Sequence, residues 1–135
     1  MKNYIYTYGV STKKAQQFVD ITHLIEKSLD KSGIHNGTIT VFCPHTTAGI
    51  TINENADPDV VRDILVGLEK VFPVHGDYRH FEGNSHAHLK ASTMGSSCNL
   101  LVEDGSLILG TWQSVYFCEF DGPRNRKVFI NILGE

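Results

Sequence analysis

The chain has 135 residues, 41% of them hydrophobic and 20% charged, with a formal net charge of -3 and a pI near 6.1. That length sets a single domain over residues 1–135, able to bury one sizeable core. The mild acidity excludes nucleic-acid binding driven by bulk charge, yet leaves room for a local anion site.

The opening "KNYIYTYGV" alternates aromatic and branched residues with polar ones and reads as a strand. "AQQFVDI" is expected to be its hairpin partner. In "DITHLIEKSLDKSG", Ile21, Leu24, Ile25 and Leu29 recur at helical spacing, Asp20 or Thr22 is placed to cap, and Gly33 to terminate. "GTITVFCPH" is a strand with Val41, Cys43 and His45 on one face, and "AGITINE" is another. "DPDVVRDILVGLEKVFP" is the clearest helix. Asp57 stands at its N-cap and Pro58 at its first position. Val60, Val61, Ile64, Leu65, Leu68 and Val71 make an apolar stripe, and Pro73 stops it. From "VHGDYRHFEGNSHAH" to about Gly95 no period persists, so a long loop is expected, with room for a short helix at "SHAHLKAS". The last third reads as four strands, "CNLLVEDG", "SLILGTW", "SVYFCEFDG" and "KVFINIL", with a hairpin turn at "EDGS". The fold class is therefore α+β: mostly antiparallel, sandwich-like sheets with two main helices.

No apolar run approaches the ~20 residues that span a bilayer, and the N-terminus has no signal-peptide core. Cys43, Cys98 and Cys118 are an odd count without a CxxC pair, as expected of reduced thiols in a cytoplasm. Neither nucleic acid nor membrane is an expected partner.

Three clusters offer chemistry. Of seven histidines, His45 ends a strand and His75, His80, His86 and His88 fall in the irregular loop. Neutral imidazole is the commonest metal ligand, and three with an open position make a catalytic zinc site. The alternative is a polar loop whose histidines bond backbone. Among carboxylates, Glu54 and Asp57 follow one strand, while Glu119 and Asp121 share a face with Val115 and Phe117 on another. A carboxylate on an apolar face must be paired, ligating or catalytic. Glu119 is thus a candidate metal ligand or general base, against an ion pair with Arg124 or Arg62. Asp57 is a helix cap. For anions, "DGPRNRK" carries Arg124, Arg126 and Lys127, and "KASTMGSS" carries Lys90, Ser92, Thr93, Ser96 and Ser97 around Gly95. Neither has P-loop spacing. Cys43 and His45 point the same way on a strand but lie too far apart for a thiol and its base, which favours packing for Cys43.

The segment from Ser97 to Val115 reads S-x-x-L-x-V-x-x-G-x-x-x-x-G-T-W-Q-x-V. With "PHTTAGITINENADPDV" and "CEFDGPR" it closely resembles the YjbQ-like family (UPF0047), also called the secondary thiamine-phosphate synthase family. The resemblance covers nearly the whole chain and implies a compact α+β domain that forms a homotrimer. It implies a metal set of His45, His80 and His88, with His86 outside it. It also implies roles for Asn53, Glu54, Asn55, Asp57, Glu82, Gly83 and Glu119. We therefore expect a metal-dependent enzyme acting on a small phosphorylated or anionic substrate, with thiamine-phosphate synthesis as a side reaction. Glu119 and Glu54 are the catalytic candidates, and Asn53, Asn55 and Arg124 the substrate-binding ones. Three imidazoles suit zinc, whereas a diphosphate substrate calls for Mg²⁺. The alternative is a noncatalytic trimeric module that binds a small ligand or metal.

Overall fold

The computed structural model describes residues 1–135 and folds them into eight strands and three helices. Alternating sequence carries β1 (Lys2–Ser11) and β8 (Asn125–Gly134), which pair antiparallel along their full length. On β8, Arg126, Val128, Ile130 and Ile132 turn inward and are buried. β3 (Gly37–Phe42) joins the other side of β8, followed by β5 (Ser97–Glu103) and β6 (Ser106–Ile108). The β5–β6 turn has positive φ at both Asp104 and Gly105, the geometry an Asp-Gly pair favours.

A second antiparallel sheet runs β2 (Gln17–Asp20), β7 (Gln113–Glu119), β4 (Ala48–Glu54). The expected β1–β2 hairpin does not form: β2 pairs with β7, Phe18 opposite Cys118, and so lies in the other sheet. Helix α1 (Thr22–Ser32) helps close the space between the sheets with Ile25 and Leu29, and ends at left-handed Gly33. The Asp20 carboxylate accepts from the Thr22 N–H at the start of this helix.

β7 is the central strand, buried from Ser114 through Glu119. Val115 and Phe117 face the five-stranded sheet and meet Ile39, Val41, Ile50 and Ile130 in the main core. Each such side chain contributes about 1.5–3 kcal/mol of burial. Tyr116 and Cys118 face the other way, and with Phe120 they pack on Ala87 and Ala91 and on the half-buried Val61, Leu65 and Leu68. That second layer is α2 (Pro58–Val71) and α3 (Ser85–Met94). Asp57 caps α2 by accepting from the Asp59 N–H, as expected. Helix α3 is the short helix for which "SHAHLKAS" left room, running on to Met94; it turns His86 inward beside Lys90, one turn further on.

Lys90 is 0% exposed and fixes α3 in place. Its ammonium donates to Glu69 Oε2 of α2 at 2.6 Å and Gln16 Oε1 at 3.0 Å, and lies 3.3 Å from His86 Nδ1. The far end of α3 lies close over β4 at Gly49, where an added Cβ would meet Gly95 O at 2.7 Å. The outer face of the five-stranded sheet is uncovered: Ile5, Phe42, Leu101, Ile108 and Leu133 stand exposed on it.

Candidate functional site

The loop after β3, the N-terminal end of α3 and the β7–β8 turn meet around a cavity of about 440 Å³. None of its eleven lining residues is hydrophobic. His45, His80 and His88 all line it, together with Glu82, Asn84, Asp121, Arg124 and Arg126. Chain topology thus gathers three histidines that sequence spacing alone leaves apart.

Their environments differ. β3 ends at Phe42, so His45 sits in the following loop rather than on the strand. Its Nε2 accepts the Lys127 N–H at 2.9 Å, and its ring meets Phe117 edge-on. Burial, then the Arg126 charge, hold its pKa below the ordinary imidazole value. With Nε2 accepting, the proton of the neutral ring is on Nδ1. His80 and His88 stand edge to face with centroids 5.4 Å apart, and His80 Nε2 lies 4.0 Å from Glu82. His88 is free of the bonds that hold His45 and His86. No three His, Cys, Asp or Glu side chains stand close enough to hold a metal ion. The histidines therefore share a cavity without forming a ligand set as they stand.

Glu119 lies beneath the cavity, 0% exposed, and its partner is Arg126 rather than Arg124 or Arg62. One oxygen accepts from Thr12 Oγ1 at 2.7 Å and Arg126 Nε at 2.8 Å; the other accepts from Arg126 Nη2 and from the Asp121 N–H. Burial pushes this carboxyl up, but the bonds from Arg126, Thr12 and Asp121 outweigh it and hold the pKa below the usual carboxylate range. A carboxylate so engaged is a weak proton acceptor, and the general-base expectation gives way to a positioning role. Through it Arg126 is aimed at Thr47, donating to Thr47 Oγ1 at 2.9 Å and tying down the loop that carries His45.

Arg124 does line the cavity, held by Asp121: Nη2 donates to Oδ2 at 3.0 Å and Nε to the backbone O at 2.8 Å. Asn84 Nδ2 donates to the same Asp121 oxygen, while Asn84 Oδ1 is buried with no partner in the chain.

Asn53, Glu54 and Asn55 lie elsewhere. They follow Ala48 at the opposite end of β4, about 20 Å along a strand that rises ~3.3 Å per residue. Asn53 Oδ1 accepts the Glu54 N–H; Asn55 donates to Asp20 and accepts from the Tyr116 hydroxyl, which also donates to Glu54 O. Within the chain they do not reach the histidines. Asn84 is the site residue that sequence reasoning passed over, while Arg126 and Asp121 were read only as parts of a basic turn and of a late carboxylate pair. Arg126 had a signal: it shares the inward face of its strand with Val128, Ile130 and Ile132.

The sequence profile described as "UPF0047 protein YjbQ-like" matches residues 6–135. The chain is 53% identical over 129 residues to UPF0047 protein YugU of Bacillus subtilis, covering 95% of this chain and 98% of that one. It is 44% identical over 131 residues to a UPF0047 protein of Methanocaldococcus jannaschii, covering 97% and 95%. Among solved structures, a YjbQ/UPF0047 protein of Clostridium acetobutylicum superposes with a TM-score of 0.94 at 64% identity, covering 95% of this chain and 99% of the other. A YbjQ-like protein of Sulfolobus solfataricus gives 0.95 at 37% identity, covering 99% of each. With the profile spanning nearly its whole length, the chain belongs to the YjbQ-like UPF0047 family.

Proposed function

We propose that this chain is an enzyme acting on a small phosphorylated or otherwise anionic molecule bound in the 440 Å³ cavity between His45, His88 and Arg124. The observation that carries this reading is the cavity's lining: Pro44 and ten polar residues, among them three histidines and two arginines. Both guanidinium groups are paired with carboxylates. The cavity therefore holds its ligand by directional bonds rather than by a net positive field. His80, His88 and Arg124 are the donors on its open side, and Asn84 Oδ1 is an acceptor for a ligand hydroxyl or amine. The resemblance adds thiamine-phosphate synthesis as a side activity.

A divalent metal belongs to the same proposal. His80 and His88 are the arm that meets it, and His45 joins only by releasing the Lys127 N–H. Imidazole ligands favour zinc; Mg²⁺ enters only with a diphosphate substrate. The homotrimer is proposed with it. The uncovered outer face of the large sheet supports association, and a neighbouring subunit is the one route by which Asn53, Glu54 and Asn55 reach a histidine cavity.

The alternative is a noncatalytic trimeric module that binds a small ligand or metal in this cavity. It is favoured by Glu119, the best general-base candidate in the sequence, which is fully engaged by Arg126 and Thr12. Metal analysis of the purified protein, with light scattering and a thiamine-phosphate assay, separates the readings. One zinc per subunit of a trimer, lost in His88→Ala and kept in His86→Gln, with turnover, supports the enzyme. Bound metal without turnover supports the module. A monomer with neither metal nor anion affinity contradicts both.

A further inference from the structure

We infer that the histidine cavity is one half of a two-lobed site whose second half holds a neutral, hydroxyl-bearing body, so that the ligand is a phosphorylated polyol or sugar. The inference rests on the anion reading above and extends it. A second cavity of about 470 Å³ adjoins the first, sharing His45, Thr46 and His88 with it. The two lobes are opposite in chemistry. The first contains both arginines and the carboxylates of Glu82 and Asp121. The second has no Asp, Glu, Lys or Arg; its remaining walls are Ala48, Ala91, Ser92, Gly95 and Ser96.

The hydroxyls of the second lobe are available. Neighbouring hydroxyls are used by the fold: Thr93 donates back to Leu89 O, and Thr47 accepts from Arg126. Those of Thr46, Ser92 and Ser96 have no such bond and can each donate and accept. The small residues at 48, 91 and 95 keep the lobe open. Hydroxyls around a charge-free space suit a body that is itself hydroxylated; an apolar body would leave them unpaired. Each lobe is of the size that holds a small ligand. His45 and His88 stand on the divide, where the phosphoryl group of such a ligand joins its carbon skeleton.

Titration calorimetry with inorganic phosphate, ribose 5-phosphate and ribose tests this on the full-length protein. Ribose 5-phosphate is expected to bind at least tenfold more tightly than phosphate. Ser92→Leu, at an exposed position of α3, fills the lobe and is expected to abolish that tenfold gain while leaving phosphate affinity unchanged. Ser96→Val provides a second, independent filling. Equal affinity for phosphate and ribose 5-phosphate, or a gain that survives both substitutions, overturns the second lobe and spares the anion reading. Failure of every phosphorylated probe to bind overturns both.

Discussion

The floor and the rim of the histidine cavity are built from similar residues and behave oppositely. On the floor, the Glu119 oxygens accept from three partners, and Arg126 reaches on to Thr47. On the rim, His88 is unclaimed and Asn84 Oδ1 is buried without a partner. Polar groups with saturated bonds hold a fold, and those left open hold a ligand. Substitutions in the floor should therefore cost stability, and substitutions in the rim should cost binding.

The largest effect is expected at Arg126. Arg126→Met leaves Glu119 as a buried, unpaired charge, a defect of about 3–5 kcal/mol, read from urea unfolding. Glu119→Gln should also destabilise, because it weakens the acceptor for the same guanidinium. A Glu119→Gln protein as stable as the parent would erase the distinction between floor and rim.

Lys90→Met is expected to cost less, about 1–3 kcal/mol, because its partner Glu69 is partly in solvent. The His88 arm should loosen with it, so ligand affinity falls even though Lys90 does not line the cavity. Unchanged hydrogen exchange along α3 in this variant would contradict that link.

The rim behaves differently under His88→Ala. Stability should change by less than about 1 kcal/mol, because His88 is only half-buried and makes no side-chain hydrogen bond that the fold would lose, while affinity for metal or phosphate drops at least tenfold. Loss of fold rather than of binding would move His88 to the floor.

The smallest effects are in pH. The Lys90 hydrogen bond lowers the Glu69 pKa from 4.5 to about 2. Its contribution is complete above the unfolded value and is lost as pH falls from about 4.5 toward 2. Burial, then Lys90, lower the pKa of His86 below 6.5. The unfolded chain then takes up that proton first, so stability declines as pH falls below 6.5. In Lys90→Met the fall in stability between about pH 4.5 and 2 should become shallower, because Glu69 then binds its proton nearly alike in the folded and unfolded chain. An unchanged limb would remove Glu69 from the account.

Local pattern made much of this fold legible. Asp57, Pro58 and Pro73 bracketed α2, and Asp104–Gly105 marked the β5–β6 turn. Partner choice was less visible: β2 follows β1 in sequence, yet half-buried Phe18 packs against Tyr116 and Phe120 in the other sheet. For the site, the spacing of His45, His80 and His88 said little, because the contact depends on α3 packing over β4. Family resemblance singled them out, and they line one cavity. Arg126 was legible by the argument applied to Glu119, a charge on an apolar strand face, but only the fold brings the two faces together. Asn53, Glu54 and Asn55 show the opposite. They are near His45 in sequence, and a full extended strand separates them from it.

The central claim is that the open rim is a ligand site. Inorganic phosphate titrated into isotope-labelled protein, followed by amide chemical shifts, tests it most directly. The account predicts saturable shifts confined to residues 44–47, 80–88 and 121–126, the segments that line the cavity. Saturable shifts centred elsewhere, or none at millimolar phosphate, would contradict it.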